Sequence, residues 1–83
     1  MYELKVRTQA PPSLISIGNN YIHGGLVGLI VSHYEVNDEH IIYLLIAEEE
    51  NEIVRVLNQS YRFNISYDHE GNPGHASWEL LKD

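Results

Sequence analysis

The stretch from Tyr21 to Leu57 constrains the fold more than any other part of the chain. It contains a glycine-rich turn, an apolar run, an acidic turn, a second apolar run, a second acidic turn and a third apolar run. The runs are short and rich in β-branched residues, and each ends at a turn signal. This pattern predicts three consecutive strands, at about residues 26–36, 41–47 and 53–57.

A rival assignment exists for residues 47–58, where a helix would place its acids at the N-terminus that the helix dipole favours. The β-branched residues Ile53, Val54 and Val56 favour a strand, because their side chains are stiff at χ1.

Alternation of apolar and polar residues marks strands with one buried face on both sides of this stretch. It covers residues 2–7, 76–81 and, most regularly, Tyr61–Tyr67. Ser13–Ile17 is a short apolar segment that we interpret as an edge strand. The 83 residues form one domain, residues 1–83. The prediction is an all-β fold, a small SH3-like barrel or a compact β-sandwich of six or seven short antiparallel strands.

The glycine turn and the strands after it resemble a known family. The order Ile22-His23-Gly24-Gly25-Leu26-Val27-Gly28-Leu29-Ile30, followed by a hairpin that ends in Glu52-Ile53-Val54-Arg55-Val56, resembles an SH3-like small barrel of the KOW or Tudor type. The resemblance covers about residues 18–57 and implies a fold type and a general binding role. The chain departs from nucleic-acid-binding KOW domains, because it has no basic residues around the turn, and it shows no aromatic cage for methyl-lysine.

Charge narrows the class of partner. Twelve acids against five bases give a formal charge of −7. Binding to phosphate backbones depends on Lys and Arg, so direct nucleic-acid binding is disfavoured, and a basic protein is the better electrostatic match. No signal peptide is evident and no apolar run is long enough to cross a membrane, which predicts a cytoplasmic location without membrane contact.

Seven acids and no base occupy the two acidic turns and their flanks. We expect the turns to lie about 20 Å or more apart, at opposite ends of one hairpin. Two interpretations of these acids remain open. They keep the turns solvated and block strand pairing, or they form a docking face for a basic partner. The predicted partner-binding residues are these acids and Tyr43: Glu35, Asp38, Glu39, Tyr43, Glu48, Glu49, Glu50 and Glu52.

The central strands are apolar on both faces. Ile41, Tyr43 and Leu45 point one way, and Ile42, Leu44 and Ile46 point the other. A small barrel has one interior, so the second set needs cover or forms an exposed patch. Two alternatives remain open, namely cover by the chain's own segments Ser13–Ile17 and Trp78–Leu81, and cover by a second subunit in a homodimer.

No constellation of residues points to catalysis, a cofactor or a metal. The absence of cysteine excludes disulfides and thiolate ligands. The densest group of histidines, His69 and His75 beside Asp68 and Glu70, matches no zinc spacing. His40, like those two, is interpreted as a surface histidine.

The leading hypothesis is a non-enzymatic protein-binding module or inhibitor that docks on a basic, nucleic-acid-processing partner. The alternative is a small-ligand-binding domain whose site, formed by Tyr21, His23, Gly24 and Gly25, lies at the glycine turn.

Overall fold

The computed structural model describes residues 1–9 and 15–82. It confirms the all-β prediction. The described residues form seven strands: β1 (Tyr2–Thr8), β2 (Asn20–His23), β3 (Leu26–Val36), β4 (Glu39–Ile46), β5 (Ile53–Val56), β6 (Gln59–Tyr67) and β7 (Pro73–Leu81). The segment after the second acidic turn is therefore strand rather than helix.

The edge strand predicted over Ser13–Ile17 falls partly on Ser13 and Leu14, which lie outside the described residues. Its remaining part, Ile15–Ile17, forms no strand. Among residues 1–9 and 15–82 there is no helix of the length and apolar character needed to cross a membrane.

The strands form two antiparallel sheets. Sheet A has the order β1-β4-β3-β2, and sheet B has the order β5-β6-β7. The fold includes one curled half-barrel. Three hairpins close through two-residue turns, Gly24-Gly25, Asn37-Asp38 and Leu57-Asn58, in which both residues have positive φ. Positive φ at both positions matches the right-handed twist of the flanking strands, which is why glycine and asparagine favour such turns.

Leu57 is the exception among these turn residues. It has φ 49° and its side chain is 71% exposed. A left-handed conformation costs a leucine about 1–2 kcal/mol, and so exposed a side chain recovers little of this by packing. Leu57→Asn is therefore expected to raise the free energy of unfolding by about 0.5–1 kcal/mol, measured by urea denaturation. Leu57→Ala, which lacks the side-chain amide that lets asparagine hydrogen-bond the local backbone, is the control, and an Asn variant no more stable than the Ala variant would contradict the prediction.

A β-bulge in β3 decides which residues share a face of sheet A. Ile30 pairs with Leu44, but Ser32 pairs with Tyr43, so Val31 is an extra residue in β3. Such a residue reverses the alternation beyond it. As a result Tyr34 lies on the same face as Leu29, although the two residues are an odd number of positions apart.

One face of sheet A, here called the Ile15 face, is covered in part by the chain's own Ile15. Ile15 is buried against a cluster that draws on β1, β3 and β4. The cluster consists of Val6, Ile15, Ile30, Ile42, Leu44 and Ile46, with Leu4 and Tyr21 packed at its margin.

The other face, here called the sheet-B face, packs against sheet B. Leu29 is fully buried there among Tyr61, Phe63 and Trp78. The Trp78 indole Nε1 donates to the carbonyl oxygen of Val27 at 3.3 Å, and its backbone N–H donates to Asn20 Oδ1 at 2.7 Å. Over this part of sheet A, both apolar sets of β4 pack against other residues of the same chain. This agrees with the first alternative, cover by the chain's own segments, for Ile15 and for Trp78.

Candidate functional site

Sheet B covers only part of the sheet-B face. Tyr61, Phe63 and Trp78 of sheet B form a cluster, and the sheet A residues that pack with it are Leu29, Val31, Leu45 and Ala47. The rest of the face extends beyond sheet B towards the β3–β4 turn. Its residues, here called the tyrosine strip, are Lys5 and Arg7 of β1, Ile41 and Tyr43 of β4, and Tyr34 and Val36 of β3.

Strand register arranges the tyrosine strip in rows. Lys5 lies opposite Tyr43, and Arg7 lies opposite Ile41, which in turn lies opposite Tyr34. Ile41 is buried, whereas Tyr34 is 44% and Val36 48% exposed. The strip is therefore an apolar surface with a buried base and cations along one side.

The two tyrosines of the strip lie side by side. Their ring centroids are 6.3 Å apart with an interplanar angle of 31°. The interaction of the Tyr43 hydroxyl with Tyr34, followed by desolvation, raises the pKa of Tyr43 above its ordinary value. The strip therefore carries two neighbouring tyrosine rings, and tyrosine provides a large contact area at low conformational-entropy cost.

The two cations of the strip differ in their ion pairing. Arg7 pairs with Glu39 at 3.6 Å, whereas Lys5 makes no ion pair with any described residue. A shallow pocket of about 160 Å³ lies here, lined by Lys5, Arg7, Tyr34, Val36, Asn37, Glu39 and Ile41. Asp38 is exposed in the adjoining turn. Among the predicted partner-binding residues, the fold brings Asp38, Glu39 and Tyr43 to this end of sheet A, while Glu35 projects from the Ile15 face.

The second acidic turn lies at the other end of β4, so the acids form two groups. Eight strand residues at about 3.3 Å each separate the groups. Within this turn Glu52 is a structural residue, because its Oε1 accepts the backbone N–H groups of Glu48 and Glu49 at 2.8 and 2.7 Å. Glu48 pairs with the amino group of Met1. Glu49 and Glu50 make no ion pair with described residues and remain exposed.

The Glu52 carboxylate should make stability depend on pH. Its hydrogen bond from the Glu48 amide, opposed by desolvation and aided by the Glu49 amide, lowers the pKa of Glu52 below its ordinary value. A carboxyl with a lowered pKa in the folded state stabilises that state above its unfolded pKa, and the contribution is lost as pH falls through the folded pKa. Glu52→Gln should therefore reduce stability at pH 7 and flatten its decline below pH 4.5, measured by urea titrations. An unchanged slope would contradict this.

Residues of the alternative ligand site are divided between two faces. Tyr21 packs against the Ile15 cluster and His23, two residues further along β2, points to the same side. Gly25 instead lines a cleft of about 350 Å³ between the β2–β3 turn and sheet B. The other lining residues are Ile22, Val27, Ile65, Pro73, Gly74, His75 and Ala76. Gly24 is exposed beside it in the turn.

The interpretation of His40 as a surface residue is wrong. Its side chain is buried at 5% exposure on the Ile15 face, and His33 Nε2 lies 2.9 Å from His40 Nδ1. Burial follows from the cross-strand position of His40 between Thr8 and Glu35. No group of three or more His, Cys, Asp or Glu among residues 1–9 and 15–82 is arranged to hold a metal ion.

No family model matches this chain, and searches against curated proteins and against solved structures return no significant match.

Proposed function

We propose that this chain is a non-enzymatic protein-binding module that docks on a basic partner through the tyrosine strip and the acidic β3–β4 turn. The observation that carries the proposal is the uncovered part of the sheet-B face, where Tyr34 and Val36 are exposed and the Tyr43 ring lies 6.3 Å from that of Tyr34. Tyrosine is among the residues that dominate binding energy at protein interfaces, since it offers a large rigid area at low entropy cost.

The size of the pocket favours a protein over a small molecule at this surface. Pockets for small ligands usually enclose about 300–1,000 Å³, and the pocket on the strip encloses about 160 Å³. A cavity of this size accepts one side chain from a partner. The surrounding strip supplies the flatter contact area that a protein surface needs.

Charge favours a basic partner. The chain carries −7, and Asp38 and Glu39 stand next to the strip. Complementary charge raises the rate of encounter and selects among partners, while apolar contact supplies affinity. An acidic turn beside an exposed apolar strip suits an inhibitor that occupies the positive surface of a nucleic-acid-processing protein.

Substitutions in the tyrosine strip should weaken such binding. Tyr34→Ala and Tyr43→Ala are each expected to raise the Kd for the partner at least about tenfold, because anchoring tyrosines typically contribute 2 kcal/mol or more. Asp38→Asn keeps a residue that tolerates positive φ and should mainly slow association and reduce its salt dependence. Surface plasmon resonance with a partner recovered from the source cells measures each effect. Arg55→Ala, on sheet B, is the control, and strip variants that bind as well as this control would refute the proposal.

The cleft at the glycine turn supports a second candidate function, the binding of a small apolar ligand. Its volume of about 350 Å³ falls within the usual range, and Ile22, Val27, Ile65 and Ala76 line it. Ile22 is 72% exposed, which leaves an apolar side chain available at the mouth. Binding there would be nearly independent of salt, and Ile22→Asp would abolish it without affecting the tyrosine strip.

A further inference from the structure

Residues 2–6 of β1 are the part of the edge of sheet A that the fold protects least. Within residues 1–9 and 15–82, β4 is the only strand that pairs with β1, so the outward backbone groups of residues 2–6 point away from the sheet. The other three edge strands are blunted, because β2 and β5 have four residues each and β7 begins with Pro73-Gly74. β1 has seven residues, no proline or glycine and no bulge. Long regular edges of this kind are templates for another strand.

Charged side chains normally discourage such pairing, and β1 carries Glu3, Lys5 and Arg7 on its sheet-B face. Neither Glu3 nor Lys5 makes an ion pair with a described residue. Their spacing, however, is self-complementary. An antiparallel pair of two β1 strands with Leu4 on the two-fold axis places Glu3 of each copy opposite Lys5 of the other.

The opposite face of β1 is complementary in the same register. Leu4 meets Leu4 on the axis, and Tyr2 meets Val6. Tyr2 is 44% exposed and Leu4 partly exposed, so both gain cover. A register centred on Lys5 instead would oppose two ammonium groups, and directly opposed like charges destabilise a sheet. A shift by one residue would exchange the faces of one strand.

We infer that two copies of this chain associate through antiparallel pairing of β1 with β1, centred on Leu4, so that sheet A continues across a two-fold axis. The occupant of the edge is a second copy because a single strand supplies both halves of the charge pattern. An isologous contact of this type closes on itself and leaves no further edge of the same kind. Five paired residues make a small interface, so we expect an equilibrium between monomer and dimer that depends on concentration.

This inference stands apart from the proposed function, since it concerns the purified chain without any partner. Sedimentation equilibrium over a series of concentrations measures it. Glu3→Lys and Lys5→Glu each place two like-charged pairs across the axis and should raise the dimer dissociation constant at least about tenfold. An equimolar mixture of the two variants restores opposite charges at every pair and should recover association, as should the double charge swap in one chain.

Controls separate this register from others. Arg7→Glu and Arg55→Glu should leave the dimer intact, whereas loss of dimer with Arg7→Glu but not with Lys5→Glu would indicate the register centred on Lys5 and overturn ours. The chain has no cysteine, so Leu4→Cys provides a single thiol that should form an intermolecular disulfide under mild oxidation. Arg55→Cys should not. A wild-type chain that is monomeric at every concentration, or a dimer indifferent to all the charge substitutions, would overturn the inference.

Discussion

Gly28→Ala is expected to destabilise the domain by about 1–3 kcal/mol, and Gly28→Val by about 3 kcal/mol or more. Gly28 is buried on β3, facing β4, and a Cβ built on it would lie 2.7 Å from Leu44 Cβ and 3.1 Å from Ile46 Cδ1. Leu44 Cβ is fixed by its own backbone, so the strands would have to separate. A domain of 83 residues has about 4–12 kcal/mol of stability in total, so Gly28→Val should leave much of the protein unfolded.

Gly74→Ala is the matched control for Gly28→Ala. Gly74 also lies in a strand, but a Cβ there would come no closer than 3.6 Å to the nearest atom, the Ser66 carbonyl oxygen. We expect a change of less than about 0.5 kcal/mol, since the added methyl fits and reduces the entropy of the unfolded chain. Urea denaturation followed by circular dichroism measures both variants. Equal stability of the two would show that β3 and β4 do not approach each other as described.

Trp78→Ala is expected to lower the free energy of unfolding by about 3–5 kcal/mol, because it leaves a cavity between the two sheets. Trp78 is 4% exposed, and its ring centroid lies 5.3 Å from that of Phe63. Trp78→Phe keeps an aromatic ring in place and removes the indole N–H that bonds the Val27 carbonyl. This variant should lower the free energy of unfolding by about 1–2 kcal/mol.

Circular dichroism is the appropriate probe for the Trp78 variants, since Trp78 is the only tryptophan and its removal abolishes indole fluorescence. Hydrogen exchange would show where structure is lost, and in the Ala variant protection should fall first in β6 and β7. If the Ala variant proves as stable as the Phe variant, sheet B is not held to sheet A by this side chain.

Much of the fold could be predicted from local pattern. Alternation at residues 2–7 and 61–67 and the short apolar runs between turn residues correspond to β1, β6, β3 and β4. The two-residue turn at Gly24-Gly25 follows from the ease with which glycine adopts positive φ. The assignment to the SH3-like family stays a prediction, because no family model matches the chain.

The tyrosine strip could not be predicted, and the reason is a single residue. Regular alternation along β3 would place Tyr34 and Val36 on the face of Ile30, under Ile15. The bulge at Val31 reverses the faces, so that these two side chains join Leu29 on the sheet-B face. No residue type marks the bulge in the sequence, since Val31 and Ser32 are ordinary strand residues. Tyr43 could be placed beside the acidic turn, but Lys5 and Arg7 join it only through the pairing of β1 with β4.

The hydrogen bonds and the ion pair of the second acidic turn could not be predicted from the sequence either. Four acids in five residues suggest one exposed cluster, yet Glu52 turns inward to accept two backbone amides and Glu48 meets the chain's amino terminus. Such roles depend on the path of the backbone between β4 and β5. They engage Glu48 and Glu52 and leave Glu49 and Glu50 exposed at this end, while the β3–β4 turn is the acidic group that adjoins the tyrosine strip.

Site-specific photo-crosslinking tests the proposed docking surface most directly. A photoreactive amino acid replaces Val36 in one variant and Ile53 in another, because both side chains are exposed and apolar, at 48% and 59%, but Ile53 lies on sheet B away from the strip. Irradiation in lysate of the source cells should crosslink the Val36 variant to one basic protein, with a yield that falls as salt rises and after Tyr34→Ala. Equal crosslinking from both positions, or none from Val36, would contradict the account.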